Sequence, residues 1–481
     1  MVNKKKSASK LHENKECSLS LFSIDDYPES VPAAGYRNGS SLNNAGSNGN
    51  YWSSTPNSNN NAYNLNFNSS SHNVNNNNRN NGYTVRPVRE LTKESLSVNK
   101  VRHFSITKEQ LLLDLYRAYK DARKNKSNKN YQLKFEYNLE DNLVKLRDEL
   151  IDGVYKPLPS DCFIIHEPKM REVFAANFRD RIVHHLFYNY THEIFEKTFI
   201  YDSYSCIKNK GTHFGIKRLR HHILSVSKGY SKPCFILKID IKGYFMNINR
   251  GKLLEICRNT ISKTKNINLI DCQFVDYLLE TIVRYNPLED CNVLGETIDW
   301  CNLPEEKSLF YTKDNCGLPI GNLSSQLFSN VYLNVFDQYV KRELKCRHYG
   351  RYVDDAYIVS NNREYLKSII PKISVFLKEN LYLEIHPHKT RIYNAYHGIE
   401  YLGAFHKPFR TYISTSSLER IVKKIKTLEL TDNSKVQNKM NSFLGLLSHY
   451  DSYCIRRVVF GNNARLNKIG YFDNMFLRYM I

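Results

Sequence analysis

The sequence contains no apolar run approaching the ~18 residues that a membrane-spanning helix needs, so no such helix is expected. Its 11 cysteines are an odd number, scattered, without one Cys-x-x-Cys pair. That pattern argues against a disulfide framework and against a zinc site, and points to a reducing cytoplasm. The basic start, Met1 to Lys10, is not followed by an apolar stretch, so no secretory leader is expected. Acidic residues are the scarcer sign of charge: 48 Asp+Glu stand against 69 Lys+Arg, a net charge of +21 over 481 residues. Residues 1–90 carry only +3 of that, which leaves +18 on residues 91–481. A folded body so basic implies a polyanionic partner, nucleic acid foremost. With 41% hydrophobic residues, the chain can build two to four units with real cores.

What the first part of the chain has in excess is asparagine, 19 in residues 38–81. Such a polar composition offers little apolar surface to offset chain entropy, so residues 33–90 are expected to be largely disordered. One stretch departs from this. From Ala62 through Tyr63, Leu65 and Phe67 to Asn68, apolar residues and Asn alternate with the period of a strand. Residues 1–32 read as a basic and polar tail, and 91–104 as a linker. From 105 the pattern becomes that of a globular protein. Thr107 and Gln110 form a candidate capping box, followed by Leu111, Leu112, Leu115 and Tyr119 on one helical face. Leu139, Leu143, Leu146 and Leu150 make a second face, stopped by Gly153. Residues 235–240 read as a buried strand ending in an acid, and 356–359 as another that follows two acids. Leu418, Ile421, Val422, Ile425 and Leu428 form an apolar helical face, with Arg420, Lys423, Lys424 and Lys426 mostly off it.

Three carboxylates stand out. Asp240 ends one apolar strand, and Asp354 and Asp355 precede the other. Acids at the ends of buried strands are costly to desolvate unless they are paired or bind metal. Side by side, the two strands would bring Asp240 and Asp354 to one point. Oxygen ligands of that kind suit Mg2+, which keeps waters and shares substrate phosphates. Two such ions, roughly 3.5–4 Å apart, can clamp the attacking and leaving oxygens of an in-line phosphoryl displacement.

Around these acids the sequence resembles reverse transcriptases. Tyr352-Val353-Asp354-Asp355 is similar to the family's YxDD signature. Ile165-His166-Glu167-Pro168-Lys169-Met170-Arg171-Glu172 and Phe178-Arg179-Asp180-Arg181 resemble its fingers motifs. Asp202 to Cys206 with Lys210 to His213 resembles the next block, Asp240 to Phe245 motif A, and Gly317 to Gln326 motif B. His386 to Thr390 fits motif D and Glu400 to Gly403 motif E. The blocks stand in the family's order over roughly 105–465.

The resemblance implies an α+β right-hand polymerase with a small antiparallel palm sheet. Fingers are expected over 105–234, palm over 235–408 with an insertion at about 251–315, and a helical thumb over 409–481. It implies that Asp240, Asp354 and Asp355, with the carbonyl of Ile241, hold two Mg2+ ions while a primer 3′-hydroxyl attacks the α-phosphate of a dNTP. Phe245 matches the ring that excludes a ribose 2′-hydroxyl. Lys169 and Arg171 match positions that grip the triphosphate, and Gly321 one where backbone approaches the nucleotide. Lys389 matches a proton donor to pyrophosphate, or is a plain surface lysine. The basic face of Arg420, Lys423, Lys424 and Lys426 suits contact with a duplex backbone. The residues after Gly403 read as helical, with no room for an RNase H domain.

Motif B departs from the commoner Gln-Gly-x-x-x-Ser-Pro: here it is Ile320-Gly321-x-x-x-Ser325-Gln326. That version resembles the reverse transcriptases of diversity-generating retroelements, which miscopy adenines of a template-repeat RNA into cDNA. Template RNA, primer, dNTPs and an accessory variability protein are the partners this implies, with no membrane. A group II intron-like, retron or phage-defence reverse transcriptase is the neighbouring alternative, and an inactive RNA-binding relic a more distant one.

Residues 33–90 also resemble the C-terminal end of the C-type-lectin-like proteins that such retroelements diversify. Both Asn codons are adenine-adenine-pyrimidine, so mutating the adenines can never produce a stop codon. The segment then reads as an in-frame translated template repeat; a true Asn-rich tail and a lectin-like binding module are the competing readings. As a template repeat, its codons should be adenine-rich, and a near-copy differing almost only at adenines should end a second reading frame nearby. Sequencing the flanking DNA checks this, and the absence of any such copy would remove the template-repeat reading.

Overall fold

The structure, a computed structural model, describes residues 104–124, 129–167, 169–263 and 271–481, and five earlier strands as backbone. The chain forms two units, residues 1–100 and 101–481. In the first, Tyr36–Asn38 (β1) pairs antiparallel with Ser41–Asn43 (β2). Gly49–Pro56 (β3), Asn61–Phe67 (β4) and His72–Asn78 (β5) form an antiparallel sheet. The alternating stretch is β4, with Asn68 just beyond its end. The register sets Tyr51, Leu65 and Val74 in one row and Asn50, Asn66 and Asn73 in the next. Disorder across 33–90 is therefore corrected over these strands, because composition counts the asparagines but not their period. The expected 1–32 tail and nearly all of the 91–104 linker lie outside the described residues.

In the second unit, Thr107 caps the helix Lys108–Arg123, its Oγ1 accepting from the Gln110 amide at 3.2 Å. The Gln110 side chain donates to Asp114 instead of returning to Thr107, so only half of the expected capping box forms. Leu111, Leu115 and Tyr119 of this helix and Leu143, Leu146 and Leu150 of Leu139–Ile151 are buried as their spacing predicts. Both join one large core with Ile182, Val183, Leu186 and Phe187 of the helix Phe178–Glu196.

Ser160–Ile165 (β6) and Arg171–Ala175 (β7) form an antiparallel hairpin. Phe235–Ile239 (β8) is the buried strand expected before Asp240. Cys291–Val293 (β9) runs parallel to β6, extending the hairpin to three strands. Tyr349–Tyr352 (β10), Asp355–Ser360 (β11) and Arg391–Asn394 (β12) join β8 in a four-stranded antiparallel sheet of order β10-β11-β8-β12. Ile399–Tyr401 (β13), Ala404–Lys407 (β14) and Arg410–Ile413 (β15) form a separate antiparallel meander.

The four-stranded sheet is apolar on both faces. Leu237, Ile239 and Ile358 belong to the large core, while Ile236, Tyr357 and Val359 pack with Tyr204 and Tyr401 on the other side. Strands buried on both faces read as continuous apolar runs, which is why β8 and β11 were legible. The stretch 251–315, expected as an insertion, divides in two. Its helices Arg250–Ser262 and Cys272–Arg284 contribute Leu253, Cys257, Phe274 and Leu278 to the main core, so they are integral to the fold. The remainder, after Arg284, forms β9 and short helical turns. Residues 413–479 carry an apolar core of their own, built on Ile421, Ile425, Val436, Met440, Leu444 and Phe460. Among the described residues, no helix is long and apolar enough to cross a membrane.

Candidate active site

Strand register assembles the acids. Ile239 of β8 pairs with Ala356 of β11, which sets Asp240 beside Asp355. Tyr352 pairs with Asp355 across the β10–β11 hairpin, leaving Val353 and Asp354 as its two-residue turn. Asp240, Asp354 and Asp355 thus gather at one end of the sheet, all of them partly buried. Burial first, and then the charge of Asp240, raises Asp354, against the pull of Arg171 and Lys169. Burial also pushes Asp355 up to about 6; Lys238 draws it down, while Asp354 and Asp240 push it further up.

Two ammonium groups partly offset this cluster. Lys238 Nζ lies 3.4 Å from Asp355 Oδ2, and Lys389 Nζ lies 3.5 Å from Asp240 Oδ1. Asp355 Oδ1 is buried with no hydrogen-bond partner among the described residues. A buried, unpartnered carboxylate oxygen beside two more acids fits a divalent cation, which supplies the missing positive charge. The described acids do not close a cation cage by themselves. That donor set is the kind Mg2+ uses when substrate phosphates and water complete its shell. Ile241 lies in a short antiparallel bridge with Ile385. The bridge's hydrogen bonds use the Asp240 carbonyl and the Lys242 amide, leaving the Ile241 carbonyl outside the pairing.

The turn is held under strain. Val353 has φ 54°, a left-handed conformation that is an outlier for a β-branched residue. Its carbonyl accepts from Arg351 Nη1 at 2.8 Å. Arg351 is fully buried, and its Nε and Nη2 donate to Asp337 at 2.8 and 2.7 Å. Tyr349 donates to the same carboxylate at 2.6 Å. Asp337 stands on the buried face of the helix Leu323–Gln338, so this pair bolts the turn to the middle of the core. Removing one partner of such a pair strands a buried charge, at a cost of about 3–5 kcal/mol. Sequence reasoning quoted Arg351 only as a neighbour of the signature and passed over Asp337. The available signal was an acid within the apolar pattern of a helix.

The remaining expected residues divide. Lys169 and Arg171 are exposed, yet both act on Asp354, so they face the acids. Phe245, on the short helix Tyr244–Asn247, and Ile320 are partly buried against one small cluster of Cys162, Phe174, Met246 and Leu309. Gly321 has φ 129°, and a Cβ there would lie 2.8 Å from the Phe174 carbonyl. The close approach that it permits here is therefore to β7, where Phe174 N–H also donates to the Ile320 carbonyl at 2.8 Å. Gln326 is exposed and accepts from Cys206 Sγ at 3.3 Å. Arg420, Lys423, Lys424 and Lys426 are exposed on the helix Thr415–Lys426, whose Ile421 and Ile425 point inward. Lys424 pairs with Glu167 at 3.1 Å, while Arg420 turns back onto Ser416 and Ser417.

An antiparallel sheet that gathers acids from adjacent strands, with basic side chains facing them, is an arrangement suited to transferring phosphoryl groups. Residues 166–405 match the family model described as reverse transcriptase (RNA-dependent DNA polymerase), and all three aspartates lie within the match. That stretch is therefore a reverse transcriptase domain, an RNA-directed DNA polymerase. Residues 24–88 match a second family, described as a domain of unknown function (DUF8237). The protein named YkfC of Escherichia coli (strain K12) is 25% identical over 292 residues, which are 54% of this chain and 69% of that protein. Similar solved structures include apo telomerase from Candida tropicalis, with TM-score 0.40 and 12% identity over 63% of this chain and 56% of that one. The same telomerase truncated from its C-terminal domain gives TM-score 0.38 and 14% identity over 53% of this chain and 55% of that one. The chain thus spans little more than half the length of these telomerase chains.

Asp355 supplies a pH test. Its carboxyl is raised in the folded state, so the native protein holds a proton that the unfolded chain has released between about pH 4 and 6. Metal-free stability therefore falls as pH rises through that window, by up to about 3 kcal/mol. In EDTA, Asp355→Asn should melt above the parent at pH 7.5, and the gap should shrink to about a third by pH 4.5. A gap independent of pH would mean that this carboxyl titrates at its ordinary value.

Proposed function

We propose that the chain copies an RNA template into DNA, with 105–234 as fingers, 235–408 as palm and 409–481 as thumb of a right-hand polymerase. The observation that carries this reading is the meeting of Asp240, Asp354 and Asp355 at the end of one antiparallel sheet, inside the segment that matches reverse transcriptases. Asp240, Asp354, Asp355 and the Ile241 carbonyl would hold two Mg2+ ions; when bound, these supply the positive charge that activates the primer 3′-hydroxyl and stabilises the departing pyrophosphate. Lys169 and Arg171 bind the triphosphate from the opposite side of the cleft, with Arg171 able to bond two phosphate oxygens at once. The ring of Phe245 lies under the sugar and excludes a 2′-hydroxyl. Lys389, already beside Asp240, is placed to give a proton to pyrophosphate. Arg420, Lys423, Lys424 and Lys426 follow the duplex backbone, which makes binding strongly salt-dependent.

The finer reading is a mutagenic enzyme of a diversity-generating retroelement, working with a template-repeat RNA and an accessory variability protein. Ile320 supports it. A branched apolar side chain stands where a hydrogen-bonding Gln would brace the templating pair, and it packs against the same small apolar cluster as Phe245. Loosened bracing would lower base selection. For residues 33–90, paired strands and the match over 24–88 favour a second reading, in which the segment acts as a folded protein module.

Two variants test these steps. Asp354→Ala should abolish divalent-cation-dependent cDNA synthesis, a loss of at least about 10³-fold in primer extension. Extension surviving that change would refute the site. Ile320→Gln should lower misincorporation opposite template adenines, read by sequencing the cDNA, while overall synthesis persists. An unchanged adenine-specific error rate would remove Ile320 as the cause.

A further inference from the structure

A buried carboxylate in the β6–β7 hairpin has no part in the chemistry just described. Glu172 is 1% exposed, although its neighbour Arg171 is exposed, as are His166, Glu167 and Lys169 before it. Successive strand residues point to opposite faces, so Arg171 and Glu172 look in opposite directions. Arg171 looks towards Asp354, and Glu172 into the segment that follows β9. There Trp300 Nε1 donates to Glu172 Oε1 at 2.9 Å, Ser308 Oγ donates to the same oxygen at 2.8 Å, and the Leu309 amide donates to Oε2 at 2.6 Å. All three donors come from the short helical turns Thr297–Trp300 and Leu309–Tyr311 and the Ser308 that caps the second.

Phe174, on the same face of β7 as Glu172, packs against Phe310 with ring centroids 5.9 Å apart. Next to these contacts, the Ile320 carbonyl accepts from the Phe174 amide, and Gly321 leaves no room for a Cβ against Phe174 and Val173. One strand therefore carries the triphosphate-facing Arg171, seats the Ile320-Gly321 loop and is fixed from behind through Glu172.

We infer that Glu172 is a positioning residue for the incoming nucleotide, anchoring β7 to residues 297–311 so that Arg171 and the Ile320-Gly321 loop keep their places. The anchor acts through Arg171 and never touches substrate. It rests on the polymerase reading and deepens it: the segment after β9 becomes a strut of the nucleotide site. A carboxylate suits the task because it accepts all three bonds, whereas a carboxamide presents two hydrogens to the same donors and must lose at least one.

The test is steady-state primer extension by the full chain on an RNA template with an annealed DNA primer, varying dNTP. Glu172→Gln should raise KM for dNTP about tenfold, with a much smaller change in kcat and in primer–template affinity. Trp300→Phe and Ser308→Ala, which each remove one donor and are milder for folding, should raise KM about threefold. Combining either with Glu172→Gln should add nothing further, as expected for one shared interaction. A Glu172→Gln chain that melts lower but keeps the parent KM overturns the proposal, as does a fall in kcat alone. Should Glu172→Gln fail to fold, unchanged KM in both donor variants overturns it equally. A parent chain unable to extend a primer would refute the polymerase reading itself, and the anchor with it.

Discussion

Mutual repulsion among Asp240, Asp354 and Asp355 is the constraint that the rest of the structure answers. Left to themselves in a partly buried site, three carboxylates would protonate or move apart. Here they are held by strand pairing that cannot slip. A one-residue shift between β8 and β11 would turn Ile236, Leu237, Ile358 and Val359 to the wrong faces, and both faces of this sheet are buried. The unfavourable electrostatics are thus maintained by apolar packing elsewhere. The raised carboxyl of Asp355 records that cost, first through burial and then through the charges of Asp354 and Asp240.

The hairpin turn needs a second restraint, because ladder hydrogen bonds end where Val353 and Asp354 begin. Arg351 supplies it by linking the Val353 carbonyl to Asp337 inside the core. A buried ion pair is weak evidence of stability in its own right, but breaking it is costly, and so it fixes a geometry more than it adds free energy. The same logic recurs in Glu172, where a second buried carboxylate fixes the strand that presents Arg171. Two buried acids outside the cluster thereby set the positions of the Val353-Asp354 turn and of Arg171.

This division explains what was legible in the sequence. β8 and β11 could be read because continuous apolar runs mark strands buried on both faces, and the acids beside them stood out against that background. The basic helix Thr415–Lys426 was legible from its period. Asp337 and Glu172 were not, since their meaning comes from partners 14 and more than 120 positions away. The asparagine-rich segment misled in the opposite direction: its composition implied disorder, while its period-two pattern marked β4. Gln110 shows the same limit at one side chain, where a local motif was outbid by Asp114 one turn along.

Charge, too, takes on a different meaning once it is placed. The excess of +18 on residues 91–481 does not converge on the acids as a neutralising shell. Lys238 and Lys389 contact them, and Lys169 and Arg171 face them, while Arg420, Lys423, Lys424 and Lys426 are spent on a separate helix. A site fully neutralised by its own lysines would have no affinity left for divalent cations. One left wholly bare would not keep its strands together. Partial compensation, with one oxygen of Asp355 left buried and unpaired among the described residues, keeps the sheet closed while leaving net negative charge at its end. On the proposed reading, the basic groups farther out act on a polyanion over a longer range, where screening by salt governs their strength.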